Sequence, residues 1–148
     1  MRSPLEIKVV CLRECVAPFH PLDTPQRAAD YWHANIASAP WFDPCKEALV
    51  VLVLNTRRRI LGHNLVALGT LDSVNVHARE VFRPVIALAG HAFVMAHNHP
   101  SGDATPSEAD IRITRDLIRA GQLLKLELID HIIIGEKPTS LRELGYFF

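Results

Sequence analysis

The sequence contains a run of seven consecutive apolar residues, Ala48–Leu54, which reads Ala-Leu-Val-Val-Leu-Val-Leu. A run of this length with three β-branched valines is typical of a central strand buried on both faces, because a half-exposed strand would alternate apolar and polar residues. A strand buried in this way needs a covering layer on each side. The run therefore predicts an α/β domain with helices on both faces of a sheet.

The other segments predict strands and helices that alternate along the chain. Ile60–Leu68 follows a short polar turn and is expected to pair with the first strand as a hairpin. Further strands are predicted at residues 5–12, 92–96 and 127–134, and a short extended piece at Val74 and Val76. The first helix is predicted to begin at Pro25, with Thr24 as N-cap, and to end at about Ser38. A second helix is predicted from about Arg79 to Ala89, with Pro84 near its first turn or at a bend. A third helix is predicted from Ser107 onward. This order predicts a three-layer α-β-α sandwich around a mixed β-sheet.

The length and charge of the chain restrict the classes of function it can have. Its 148 residues suit one domain, and 16 basic residues against 16 acidic ones give a formal net charge of zero. A neutral chain has no global basic field, so this balance disfavours DNA as a partner of this chain alone.

The cysteines and the apolar runs indicate the compartment. Three cysteines are odd in number and form no C-x-x-C pair, which favours a reducing environment over a disulfide scaffold or a zinc ribbon. No stretch approaches 18 uninterrupted apolar residues, so no membrane span is predicted. We therefore expect a cytoplasmic location.

The strongest candidate site lies where the strand at residues 92–96 ends. His97 and His99 are two residues apart, so an extended backbone would project both imidazoles to the same side. Asp110 lies in the first turn of the helix that begins at Ser107. Each feature alone has an ordinary interpretation, a hydrogen-bonded histidine pair or a carboxylate favoured by the helix dipole. Together they indicate three zinc ligands with a fourth position left for water, which is the form of a catalytic site.

These residues resemble the JAMM (MPN+) metalloprotease signature, in which His-x-His is followed by seven residues, Ser, two residues and Asp. The segments 97–103, 130–135 and 69–73 are similar to the RadC branch of that superfamily. The resemblance covers roughly residue 46 to the C-terminus. It implies a single JAB/MPN domain over residues 1–148 with a cytidine-deaminase-like fold, in which residues 46–148 form the metal-site core and residues 1–45 are a strand-helix extension in place of the helix-hairpin-helix region of longer RadC proteins.

The resemblance also implies roles for individual residues. His97, His99 and Asp110 would hold one Zn²⁺ per chain, and the bound water would have a pKa of about 7. Glu47, just before the apolar run, would be the general base, although taken alone it would be a solvated residue at a strand start. Ser107 would help to hold the oxyanion, but as a helix N-cap it would have to switch partners to do so. The substrate class would be a peptide or isopeptide amide in a protein or peptide partner.

Other interpretations compete with a JAMM-type zinc metallopeptidase. The triplet His-Asn-His suggests a nuclease, but the ββα nuclease motif spreads its His and Asn over two structural elements. A zinc nucleobase deaminase needs Pro-Cys-x-x-Cys, and no cysteine follows Cys45. The intact ligand set argues against a metal-free scaffold. A DNA-repair-associated RadC-like protein that binds a metal or a partner without peptidase activity is the remaining alternative.

The aromatic C-terminus, Tyr146 to Phe148, could dock on a second copy or cover its own sheet.

Overall fold

A computed structural model describes residues 2–16, 18, 20–69 and 76–147 of the chain. Within these residues, five strands form one mixed sheet in the order β2-β1-β3-β4-β5, in which only β3 and β4 run parallel. The strands are β1 (Ala48–Leu54), β2 (Ile60–Leu68), β3 (Ala92–Asn98), β4 (Glu127–Ile134) and β5 (Thr139–Ser140). The helices are α1 (Pro25–Tyr31), continued by a π-helical turn (Trp32–Ile36), α2 (Ala78–Ala87) and α3 (Glu108–Leu124).

Strand β1 lies inside the sheet, as its apolar sequence predicts. Every residue of β1 is buried, and the strand pairs antiparallel with β2 on one side and β3 on the other. The predicted hairpin between β1 and β2 is confirmed by a register that pairs Ala48 with Leu68.

The side chains of β1 alternate between two separate apolar layers. Val50, Leu52 and Leu54 pack with α1 and its π-helical turn on one face of the sheet, while Leu49, Val51 and Val53 pack with α2 and α3 on the other. Because both faces are covered by helices, the predicted three-layer α-β-α architecture is confirmed.

The helices begin close to their predicted starts and differ in their interiors or ends. Thr24 is the N-cap of α1, with its hydroxyl accepting a hydrogen bond from Arg27 N at 3.1 Å. The predicted α-helix to Ser38 gives way to a π-helical turn, in which Ala37 N bonds to Trp32 O five residues back. Pro84 lies in the interior of α2 and not near its first turn.

The predicted strand at residues 5–12 is wrong. The structure has no strand between residues 2 and 16, and the apolar side chains there face solvent, with Leu12 97% exposed. β-prone residues form a strand only where a neighbouring strand supplies hydrogen bonds. Here the main-chain N–H and carbonyl of Val16 bond instead to the side chain of Asn35. Residues 70–75, which include Val74 and most of the RadC-like segment 69–73, lie outside the described residues.

The C-terminal segment returns onto the domain. Phe147 packs against the apolar layer that contains α2 and α3, and the guanidinium carbon of Arg142 lies 4.4 Å from the centre of its ring. This contact favours the interpretation in which the aromatic end covers its own sheet. Among the described residues, no helix is long and apolar enough to cross a membrane.

Candidate metal centre

The two histidines leave the end of β3 on the same side. His97 is the penultimate residue of β3 and pairs with Leu49 of β1 and Ile133 of β4, while the His99 N–H bonds to Ile134 O at 3.0 Å. This extended backbone places His97 Nε2 and His99 Nε2 only 3.0 Å apart. The same-side arrangement predicted from strand alternation is therefore present.

Asp110 reaches the histidines from the first turn of α3. Ser107 and Asp110 form a capping box, in which Ser107 Oγ accepts from Asp110 N at 3.1 Å and Asp110 Oδ2 accepts from Ser107 N at 2.8 Å. The capping box turns the carboxylate back towards the start of the helix. Asp110 Oδ1 then lies 3.1 Å from His97 Nε2, and Oδ2 lies 3.3 Å from His99 Nε2.

These three side chains could hold a metal ion, since their ligand atoms all lie within 4.8 Å of one another. His97 and Asp110 are fully buried, whereas the His99 side chain is 13% exposed, so solvent reaches the cluster beside His99. His99 Nδ1 faces the carbonyl oxygen of Asp103 at 2.7 Å and must donate to it, so the neutral His99 ring has its lone pair on Nε2. Asp110 Oδ1 is buried and accepts no hydrogen bond from the described residues. A cation fits such a set of buried acceptors.

The charges of the cluster depend on one another. Burial opposes ionisation of Asp110, but its contacts with His97 and His99 outweigh that effect and hold the pKa of Asp110 well below its usual range. The hydrogen bond with Asp110 raises the pKa of His99 in spite of partial burial, and the negative charge of Glu47 contributes to the same rise. When no metal ion is bound, a proton on His99 can therefore supply the positive charge that compensates the Asp110 carboxylate.

Glu47 precedes β1 and is half-buried. The main-chain groups on either side of it are both bonded by one side chain, Asn98, which accepts from Ala48 N at 2.8 Å and donates to Lys46 O at 2.9 Å. Asn98 lies between the two histidines in sequence, so the segment carrying Glu47 is tied to the segment carrying the candidate ligands. The charge of Glu47 is also one of the causes that raise the pKa of His99, after the larger effect of Asp110.

Three residues of the centre were not predicted as part of it: Asn98, Thr114 and His131. His131 is fully buried in β4, with Nε2 2.8 Å from His97 Nδ1 and Nδ1 2.7 Å from Thr114 Oγ1. Burial lowers the pKa of His131 to about 3, so this imidazole is neutral. The one signal in the sequence was a histidine followed directly by three isoleucines at the end of β4. Asp103, predicted to fix its loop, does so by accepting from Thr105 N and Oγ1.

The mixed sheet between helices, with this cluster at the end of a strand, is consistent with the JAB/MPN class of α/β domains. The family model of the RadC-like JAB domain matches residues 22–146, so the match begins before residue 46 and includes α1. The chain belongs to the RadC-like JAB domain family.

Individual relatives agree with this assignment. The chain is 45% identical over 125 residues to a UPF0758 protein of Acidithiobacillus ferrooxidans, covering 84% of this chain and 54% of that protein. It is 42% identical over 127 residues to a UPF0758 protein of Staphylococcus carnosus, covering 85% and 54% of the two chains. It is 45% identical over 102 residues to the UPF0758 protein YsxA of Bacillus subtilis, covering 68% and 44%. The chain spans about half the length of the curated relatives it matches.

Proposed function

We propose that this domain is a zinc-dependent hydrolase of the JAMM type that cleaves a peptide or isopeptide amide bond in a protein or peptide. The observation that carries the proposal is the buried carboxylate of Asp110, whose Oδ1 accepts no hydrogen bond from the described residues and lies 3.1 Å from His97 Nε2, while its Oδ2 lies 3.3 Å from His99 Nε2. A buried carboxylate in this position is strongly destabilised unless a proton or a cation compensates it.

The donor set selects the metal and leaves room for chemistry. Two imidazole nitrogens and one carboxylate oxygen are typical ligands of catalytic zinc, and three protein ligands leave a fourth position open. When bound, zinc supplies Lewis acidity and lowers the pKa of a coordinated water to about 7. The side of the cluster next to the partly exposed His99 is the side from which a substrate could enter.

Glu47 would move the proton in this reaction. Its carboxylate would accept a proton from the attacking water and deliver it to the nitrogen of the leaving amine, which must be protonated before the C–N bond breaks. The two hydrogen bonds with Asn98, one accepted from Ala48 N and one donated to Lys46 O, would hold the backbone on either side of Glu47 during proton transfer.

Ser107 would stabilise the negative charge that develops on the substrate carbonyl oxygen. The expectation that Ser107 must switch partners does not follow from the observed capping geometry. Ser107 Oγ accepts a hydrogen bond from Asp110 N, which uses an oxygen lone pair and not the hydroxyl hydrogen. The same hydroxyl could therefore cap α3 and donate to a substrate oxygen.

Two measurements test the proposal. Purified protein should contain about one zinc per chain, and His97→Ala should abolish binding because two remaining ligands are too few for a tight site. Glu47→Gln should keep the zinc and lose hydrolysis of a panel of fluorogenic peptides and isopeptide-linked peptides. Glu127→Gln, at the exposed start of β4, is the matched control and should behave as the parent.

Three results would contradict the proposal in different ways. Full zinc occupancy in His97→Ala would show that the metal does not bind at the proposed site. Hydrolysis by Glu47→Gln at the parental rate would show that Glu47 is not the general base. A parent that binds zinc but cleaves no member of the panel would support a module that binds a metal or a partner without peptidase activity.

A further inference from the structure

A row of buried polar side chains connects two of the candidate ligands behind the cluster. His97 Nδ1 lies 2.8 Å from His131 Nε2, His131 Nδ1 lies 2.7 Å from Thr114 Oγ1, and Thr114 Oγ1 lies 2.8 Å from the main-chain oxygen of Asp110. All four residues are buried. The row thus runs from the ring of one ligand, on β3, through β4 to the backbone of another ligand, on α3.

The directions of these hydrogen bonds follow from the Asp110 end. A carbonyl oxygen can only accept, so the Thr114 hydroxyl donates its single hydrogen to Asp110 O. Thr114 Oγ1 can then only accept from His131, which places a hydrogen on His131 Nδ1. A neutral imidazole carries one hydrogen, so His131 Nε2 is a lone pair and accepts from His97 Nδ1.

The neutral state of His131 is required by its surroundings. A charged imidazolium would be fully buried, with a second imidazole as its nearest ring at 4.8 Å between ring centres. Burying such a charge without a directly bonded carboxylate is strongly unfavourable.

We propose that His131 and Thr114 are positioning residues that hold His97 in the tautomer with its hydrogen on Nδ1, so that Nε2 presents a lone pair to the metal. As far as the metal is concerned, this inference rests on the proposed function. Metal-binding histidines usually donate their second N–H to a carboxylate, a backbone carbonyl or a water. His97 instead donates to a neutral imidazole, whose own orientation is set by one hydroxyl.

The second histidine provides an internal comparison. His99 Nδ1 donates to the main-chain oxygen of Asp103, so its acceptor is a backbone group and not a side chain. His97 depends on two side chains, so its tautomer can be changed by substitution while that of His99 stays as it is.

The first test is imidazole ¹⁵N NMR of the metal-free protein, which distinguishes a protonated ring nitrogen from a bare one. At a pH above the ordinary pKa of histidine, His97 should carry its hydrogen on Nδ1 in the parent. Thr114→Val removes the hydroxyl and keeps the shape, so His131 is free to carry its hydrogen on Nε2, and the His97 signals should shift towards the opposite tautomer. Thr114→Ser keeps the hydroxyl and is the matched control, with signals like those of the parent.

The second test is the zinc dissociation constant, measured by competition with a chelator of known affinity. His131→Leu and Thr114→Val should each weaken zinc binding by about 10- to 100-fold, the usual effect of removing a residue that orients a ligand. His131→Gln restores an acceptor near the position of Nε2 and should recover most of the affinity, and Thr114→Ser should bind zinc as the parent does.

Two outcomes would overturn the inference: a His97 Nδ1 that carries no hydrogen in the parent, or a folded Thr114→Val protein with parental zinc affinity. If His131→Leu does not fold, the comparison of Thr114→Val with Thr114→Ser still tests the inference. If the parent binds no zinc, the proposed function fails, but the NMR result in metal-free protein still supports or overturns the tautomer assignment.

Discussion

Ser107 and Asp110 each accept a hydrogen bond from the other's main-chain N–H, at 3.1 Å and 2.8 Å. The carboxylate that completes this capping box is also the one that lies within 3.3 Å of both imidazole Nε2 atoms. One side chain therefore starts α3 and faces the candidate metal centre.

The two roles of Asp110 should separate in two variants. Asp110→Asn keeps an oxygen that can accept from Ser107 N, whereas Asp110→Ala leaves that N–H without its partner. We expect both variants to lose zinc and Asp110→Ala to lower the free energy of unfolding by about 1 kcal/mol more than Asp110→Asn. Metal analysis and urea unfolding measure these effects. An Asp110→Asn protein with one zinc per chain would show that the carboxylate is no ligand.

Asn98 should contribute to stability beyond its size. In Asn98→Ala, the buried Ala48 N–H and the Lys46 carbonyl both lose a partner. Leaving such groups unsatisfied costs about 1–3 kcal/mol, which urea unfolding of the metal-free protein would detect. Asn64→Ala, on the exposed side of β2, is the control and should change stability by less than about 0.5 kcal/mol. Equal stabilities for the two variants would contradict a tie between β3 and the Glu47 segment.

Zinc affinity should fall as the pH is lowered. The pKa of His99 is raised, mainly by its hydrogen bond with Asp110, so the metal-free cluster takes up a proton at a higher pH than an ordinary histidine does. Zinc must displace that proton, and affinity should decrease by about tenfold per pH unit once the pH is below the raised pKa. Calorimetry over a pH series measures this slope. His91→Gln, which removes an exposed histidine, should leave the profile unchanged.

Gly135 should be required for the loop that orients His99. A Cβ atom at this position would lie 2.5 Å from Gly102 O and 2.9 Å from Ala104 Cβ, on both sides of Asp103. Gly135→Ala should therefore displace the Asp103 carbonyl from His99 Nδ1 and weaken zinc binding by about 10- to 100-fold. Gly62→Ala is the control, because its added Cβ would meet only the flexible end of Leu88 at 3.0 Å. Parental zinc affinity in Gly135→Ala would show that the loop can move without affecting the site.

Several features of this protein are determined by residues close together in sequence. The buried strand Ala48–Leu54 follows from its unbroken apolar run, the start of α3 from the Ser107 and Asp110 pair, and the shared direction of His97 and His99 from strand alternation. These features depend on hydrogen bonds and periodicities that span a few residues, so the local sequence is sufficient to predict them.

Other features depend on which distant segments meet. His131 lies 34 residues from His97 along the chain, and Asn98 lies 50 residues from Ala48, yet each pair is hydrogen-bonded. Residues 5–12 have the composition of a strand and form none, because no neighbouring strand in the described part of the chain pairs with them. Local sequence specified the candidate ligands, whereas the support behind His97 exists only because the parallel pairing of β3 with β4 brings a buried histidine beside it.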